Sequence, residues 1–172
     1  MLNSNGKISL QKRSKYKGEN PGLYDKTIGG HVSAGNSWEL TVAKECAEEL
    51  GFPAIVLLGK DFAFAAGNID LRILGIFRKV AYLPNFNPIR VTSGKRTFIQ
   101  LFMTTIYICY YGSHACFADA ESGGIETFAL KELRPELEKH PEKFTEALKF
   151  MAEKYGNSSS PQAGFPNSKN LY

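Results

Sequence analysis

The chain predicts an α/β fold: a mixed sheet with helices on both sides, an α/β/α sandwich. Three observations carry that expectation. Strand-like runs rich in Ile, Val, Thr, Tyr and Phe alternate with helical patterns. One glycine-rich loop leads into a helix with stop signals at both ends. The length of 172 residues, 43% hydrophobic and 22% charged, suits one domain with a real core.

Lys7–Lys12 alternates polar and apolar side chains as a strand does. Asn5-Gly6 before it reads as the turn of a first hairpin, so the edge strand that would precede that turn is expected to be missing or supplied by another subunit of a homodimer. Leu23–Val32 predicts a second extended segment ending in the glycine loop. Asn36–Leu50 predicts a helix: Asn36 can cap it, with Glu39 three residues on, and Gly51 and Pro53 end it. Ala54–Leu58 predicts a short apolar strand. Ile69–Tyr82 and Arg96–Tyr111 predict long strands joined by the turn around Pro84–Pro88. Ile125–Leu130 predicts another strand, and Lys131–Lys139 and Pro141–Tyr155 predict helices. The domain is expected to span 1–155, and the polar, Pro- and Gly-containing residues 156–172 read as a flexible tail.

Composition excludes several classes. MLNSNGKISL lacks the basic-then-apolar order of a secretion signal, and Phe98–Tyr111 is too short for a bilayer and carries Gln100, Thr104 and Thr105. A cytoplasmic location is the expectation. Three cysteines do not make a disulfide framework. Cys109, His114 and Cys116 match no zinc-finger spacing and lack a fourth ligand, so buried thiols are expected. The net charge of +4 is uneven, with Lys7, Lys12, Arg13, Lys15 and Lys17 gathered at the start. That patch suits a polyphosphate better than nucleic acid, because no binding motif or interleaved aromatics accompany it.

The chemistry concentrates between Gly29 and Phe52. Glu45, Glu48 and Glu49 stand at i, i+3 and i+4, within an arc of roughly 100°. Leu40, Ala43, Ala47 and Leu50 cluster on the opposite side and are expected to form the buried face. An ordinary surface helix shows the same two stripes. The loop adds weight to a site: Gly29, Gly30 and Gly35 let a ligand approach the main chain. A divalent cation would turn the repulsion among three carboxylates into binding, so the residues point to a magnesium-dependent enzyme acting on phosphates.

This segment resembles the signature of the Nudix hydrolases. The family pattern runs Gly, five residues, Glu, seven residues, Arg-Glu, an aliphatic residue, any residue, Glu-Glu, any residue, Gly, aliphatic. From Gly30, its slots fall on Asn36, Lys44, Glu45, Cys46, Glu48, Glu49, Gly51 and Phe52. The likeness extends over about residues 7 to 155, through LQKRS, PGLYD and GGHVSAG upstream and ESGGIETF, LKEL and KFTEALKFMAEKY downstream. Those runs resemble the branch related to isopentenyl-diphosphate isomerases, while Lys60–Lys95 matches only vaguely.

The resemblance implies that Glu45, Glu48 and Glu49 hold Mg2+ or Mn2+ and that the chain hydrolyses a phosphoric anhydride in a small-molecule diphosphate. Glu48, Glu49 or Glu121 would serve as general base. Lys12 and Arg13 would contact phosphates, and Gly30, His31 and Gly35 would shape the substrate loop. A solvated turn for Glu121, plain surface charges for Lys12 and Arg13, and a backbone hydrogen bond for His31 compete with those roles. Trp38 is expected to pack at the helix start. Asn36 and Lys44 replace a Glu and an Arg that pair in the family, and Lys lacks the planar fork of Arg. A catalytically weakened binding module therefore stays open. Isoprenoid-diphosphate isomerisation ranks below both, because Gly29-Gly30 stands where isomerases carry a cysteine.

Overall fold

The computed structural model describes residues 1–3, 5–115 and 122–156. Its strands and helices follow in the order β1 (Lys7–Arg13), β2 (Tyr24–Asp25), α1 (Trp38–Leu50), β3 (Ala54–Leu57), α2 (Gly59–Asn68), β4 (Gly75–Phe86), β5 (Ile89–Val91), β6 (Thr97–Ile99), β7 (Phe102–Tyr110), β8 (Ser122–Ala129), α3 (Leu130–Lys139) and α4 (Glu146–Tyr155). The sheet is mixed, as expected. β3 pairs parallel with β4, whereas β4–β7, β1–β8 and β1–β2 are antiparallel.

Two three-stranded halves, β2-β1-β8 and β3-β4-β7, meet at the first three residues. Leu2 pairs with Ile8 on one side and Tyr110 on the other, and its side chain is 2% exposed. Residues 1–3 thus occupy the place beside β1 where the sequence implied a gap.

Alternation along the central strands creates two packed faces. Phe77, Cys109 and Tyr111 meet α1 through Cys46 and Leu50, with Phe52 stacked on Tyr111 at 3.6 Å. Their neighbours Ile76 and Tyr110 point the other way and pack on Phe62, Ala65 and Ala66 of α2. Further along that face, Leu10 meets Leu133, Phe144 and Leu148 under α3 and α4. The layers are helix, sheet, helix.

Several elements differ from the expectation. The second extended segment is only Tyr24–Asp25, because the chain leaves the sheet at Lys26 to form the loop. α1 is capped by Ser37 rather than Asn36: Ser37 is extended (ψ 163°) and its Oγ accepts from the Leu40 N–H at 3.1 Å. Residues 59–68 form a helix that the sequence reading did not assign, with Phe62, Ala65 and Ala66 buried at i, i+3 and i+4. The following strand consequently starts at Gly75 instead of Ile69. A β5–β6 hairpin interrupts the turn before β7. The last helix begins at Glu146 behind a 3-10 turn at Pro141–Lys143, since Thr145 caps it by accepting from the Leu148 N–H. The expected tail from 157 onward lies outside the described residues.

A buried carboxylate ties these parts together. Asp25 is 5% exposed and accepts from Thr145 Oγ1 (2.9 Å) and from the Lys26 N–H (2.9 Å). Arg13 Nη1 and Lys26 Nζ lie 3.4 and 3.5 Å from its Oδ2. Burial pushes its pKa up, but Lys26, Thr145, the backbone N–H and Arg13 together outweigh burial and hold it below the ordinary 3.8. A lowered folded pKa means stability that is present above the unfolded value and is lost as pH falls. Asp25→Asn should cost about 2 kcal/mol or more at pH 7, leaving Arg13 uncompensated. In urea melts, the gap to wild type should close as pH falls below 3.8.

Candidate functional site

The loop that leaves β2 is anchored at both ends. Behind it, Thr27 Oγ1 donates to the Ser9 carbonyl at 2.6 Å. Ahead of α1, the Asn36 N–H donates to the Ser33 carbonyl (3.0 Å), closing a turn with Gly35 at φ +86°, a left-handed conformation that suits glycine. Between these anchors Gly30 meets the helix. A Cβ at Gly30 would run into the Glu45 carboxylate, so a larger residue there would push that side chain aside.

The buried stripe of α1 is not the expected one. Thr41, Cys46 and Leu50 are buried and Val42 packs beside them, whereas Leu40 is 49% exposed and Ala47 is exposed. At about 100° per residue, Glu49 and Glu45 lie roughly 60° and 100° from Cys46, with buried Thr41 beyond them. The glycine loop covers this flank, which a reading of apolar residues alone assigns to solvent. Glu45 and Glu49 are half-buried, and Glu48 is exposed.

A cleft of about 1550 Å³ opens beside the loop. Gly30, His31, Gly35, Asn36 and Glu45 line it, as does Trp38, whose ring packs edge-on to Tyr82. His31 is exposed, with its ring 5.9 Å from Phe102 across the cleft wall. The other proposed residues do not join that wall. Glu48 and Glu49 sit further around α1. Lys12 extends over the Tyr24 ring at 5.2 Å. Arg13 is committed to Asp25 and to the Glu19 carbonyl, to which its Nε donates at 3.0 Å. Glu121 and Cys116 lie outside the described residues.

The carboxylates of Glu45, Glu48 and Glu49 are the hard oxygen donors that Mg2+ or Mn2+ takes, and Glu45 is pressed toward the loop backbone. Among the described residues, no three acidic, His or Cys side chains converge on one point, so binding would need the glutamates to rotate. No hydrogen bond joins Asn36 to Lys44 among the described residues. The thiols do not compete as ligands. Burial, and to a smaller extent Glu49, pushes Cys46 up to about 12, and burial raises Cys109 as well.

Sequence reasoning missed the far wall of the cleft. Arg90 on β5 pairs with Glu19, and its guanidinium lies 5.1 Å from the Phe102 ring centre. Thr105 and Tyr107 on β7 complete the wall. Burial first, then Glu39, pushes the Tyr107 hydroxyl up to about 12, so it stays neutral. Nothing in the local pattern marked these residues, because their proximity depends on the hairpin packing across β7.

A family profile described as "NUDIX domain" matches residues 1–148. Over 70 residues the chain is 37% identical to "Uncharacterized Nudix hydrolase PA4841" of Pseudomonas aeruginosa, a match covering 40% of this chain and 41% of that protein. The chain therefore spans less than half the length of that curated relative. Its fold is similar to the crystal structure of DR0079 from Deinococcus radiodurans, with a TM-score of 0.61, 18% identity, and coverage of 89% of this chain and 76% of that one.

Gly30→Ala should displace the Glu45 side chain at a small cost in unfolding stability, about 1 kcal/mol or less, since that side chain is flexible. Gly18→Ala, which meets open space, is the control and should change little. In a Cys116→Ser background, Cys46 and Cys109 should resist a thiol reagent until the protein unfolds.

Proposed function

We propose, from the premise that this chain belongs to the Nudix family, that it is a metal-dependent hydrolase of a phosphoric anhydride in a small-molecule diphosphate. The contact between Glu45 and Gly30 carries the reading. One carboxylate of α1 thereby lies against the backbone of a glycine loop at the edge of a cleft large enough for a nucleotide-sized ligand.

Glu45, Glu48 and Glu49 would hold Mg2+ or Mn2+, which supplies charge neutralisation at the phosphoryl oxygens. The loop, through the Gly30 and Gly35 backbone and His31, would orient the diphosphate. Glu48, Glu49 or Glu121 would take the proton of the attacking water as its oxygen bonds to phosphorus and the bridging P–O bond breaks. Half-burial of Glu45 raises the electrostatic cost of its charge, and that supports cation binding. Lys12 and Arg13 are weaker candidates for phosphate contact, given their distance from the cleft wall. No helix among the described residues is long and apolar enough to cross a membrane. A cytoplasmic location belongs to the same proposal.

One observation favours a second reading. The pair that braces loop to helix in the family is replaced by Asn36 and Lys44, which are not hydrogen-bonded to each other. A module that binds a diphosphate with little turnover would follow. Calorimetry with a diphosphate panel in Mg2+ and in Mn2+, combined with assay of released phosphate, separates the two: heat with product marks the enzyme, heat without product the module. Glu48→Gln or Glu49→Gln should lower turnover by roughly 10²–10⁴-fold with an unchanged melting temperature. Full activity in both variants would remove these side chains from the reaction.

A further inference from the structure

We infer that two hairpin tips, residues 14–17 and 93–96, form a platform that binds single-stranded nucleic acid. Lys15, Lys95 and Arg96 would meet its phosphates, and Tyr16 would stack on a base. None of these residues lines the cleft, and the inference does not rest on the hydrolase reading.

The tips lie side by side because a short ladder joins them. The Ser93 N–H donates to the Gly18 carbonyl at 2.9 Å, and Glu19 pairs with Thr92. Next along, the Asn20 N–H donates to the Val91 carbonyl at 2.7 Å. The buried Asn20 also accepts from the Val91 N–H through Oδ1 at 2.9 Å, and Glu19 ion-pairs with Arg90. Both chains then turn at the same end of that ladder. The Lys17 N–H donates to the Ser14 carbonyl at 3.2 Å, and the Lys95 N–H to the Thr92 carbonyl at 2.8 Å. Cations remote in sequence thus share one edge.

Charge at this edge is unbalanced. Lys15, Lys95 and Arg96 are exposed, and none pairs with a carboxylate among the described residues. The acid nearest in sequence to the first turn, Glu19, is taken by Arg90. Lys95 also holds a backbone conformation that side chains rarely adopt, at φ +60°, whereas Gly94 beside it does not take the left-handed position. A turn that puts lysine where glycine fits better keeps a cation there at a conformational cost.

Tyr16 decides what those cations meet. Its ring is 85% exposed, with Lys15 Nζ 5.1 Å from the ring centre. Sequence reasoning passed over this aromatic. An acidic peptide would answer the charge and leave the ring in water. A membrane surface needs aliphatic side chains to bury, and residues 14–18 and 93–97 carry none. An unpaired base stacks on such a ring while the adjoining phosphates reach the cations. A duplex offers no free base face, so a single strand is the ligand that uses both features.

Binding of a fluorescein-labelled single strand of about 16 nucleotides, as RNA and as DNA, is measured by anisotropy in EDTA across a KCl series. Hydrolysis plays no part under those conditions. Wild type should bind with a Kd of roughly 1–100 μM, and binding of either strand type supports the inference. The slope of log affinity against log salt should shrink by about 0.7 for each cation removed in Lys15→Gln, Lys95→Gly and Arg96→Gln. Tyr16→Ala should weaken single-strand binding about tenfold at an unchanged slope, and should leave a duplex of the same sequence bound as before. Lys95→Gly should melt at or above the wild-type temperature, because it relieves the left-handed turn, so its lost affinity cannot come from unfolding. Lys139→Gln removes an exposed cation of α3 and should bind as wild type does. No binding at the lowest salt overturns the inference, as does an equal loss in Lys139→Gln. Wild-type affinity in Tyr16→Ala, beside tighter capture of poly-glutamate or of vesicles with equal parts phosphatidylserine and phosphatidylcholine, overturns it in favour of an acidic peptide or a membrane.

Discussion

Asp25 is the buried charge on which the rest of the arrangement turns. It sits where β2 ends and the loop begins, and its partners come from three separate parts of the chain: Arg13 on β1, Lys26 on the loop, and Thr145 at the start of α4. Thr145 also caps α4 and donates its N–H to the Tyr24 carbonyl. One carboxylate thus fixes the strand, the terminal helix and the exit direction of the loop. Such a cluster holds only while every member is present, because each group left behind would be a buried charge or dipole without a partner. The cleft inherits its shape from this anchor.

From that anchor the loop reaches α1 and changes what the helix means. A helix with an apolar stripe and an acidic stripe normally turns its acids to water. Here the loop lies on Glu45, so that carboxylate sits beside the packed face. Charges brought together in a partly desolvated place repel more strongly than on an open surface. Arg13 is the converse case: it read as a phosphate contact, but its Nη1 lies beside Asp25 and its Nε donates to the Glu19 carbonyl.

The loop and the acidic helix were legible because their signals are local. Gly35 at a left-handed turn, Gly51 as a left-handed cap and the i, i+3, i+4 spacing of the glutamates depend on residues within a few positions of one another. The errors around them are small, such as a cap on Ser37 instead of Asn36. Residues 59–95 were harder. The Ala-rich run of α2 carries a helical pattern with Phe62, Ala65 and Ala66, but it is short and has no side-chain cap. The β5–β6 hairpin gains its order from Glu19 and Asn20, which are remote in sequence. Those remote contacts add to the local pairing of Ile89–Val91 with Thr97–Ile99.

By itself, the amino-acid sequence determined the α/β architecture, the glycine loop leading into a doubly delimited helix, and the trio of glutamates that marks a Nudix protein. These follow from backbone preferences and short-range spacing, which act before any tertiary contact forms. The folded structure alone decided which flank of that helix is covered, that Arg13 serves Asp25, and that Arg90, Thr105 and Tyr107 share one cavity. Burial and pairing between distant residues are properties of three-dimensional packing, where a side chain's partner is set by which surfaces meet rather than by what lies next to it along the chain.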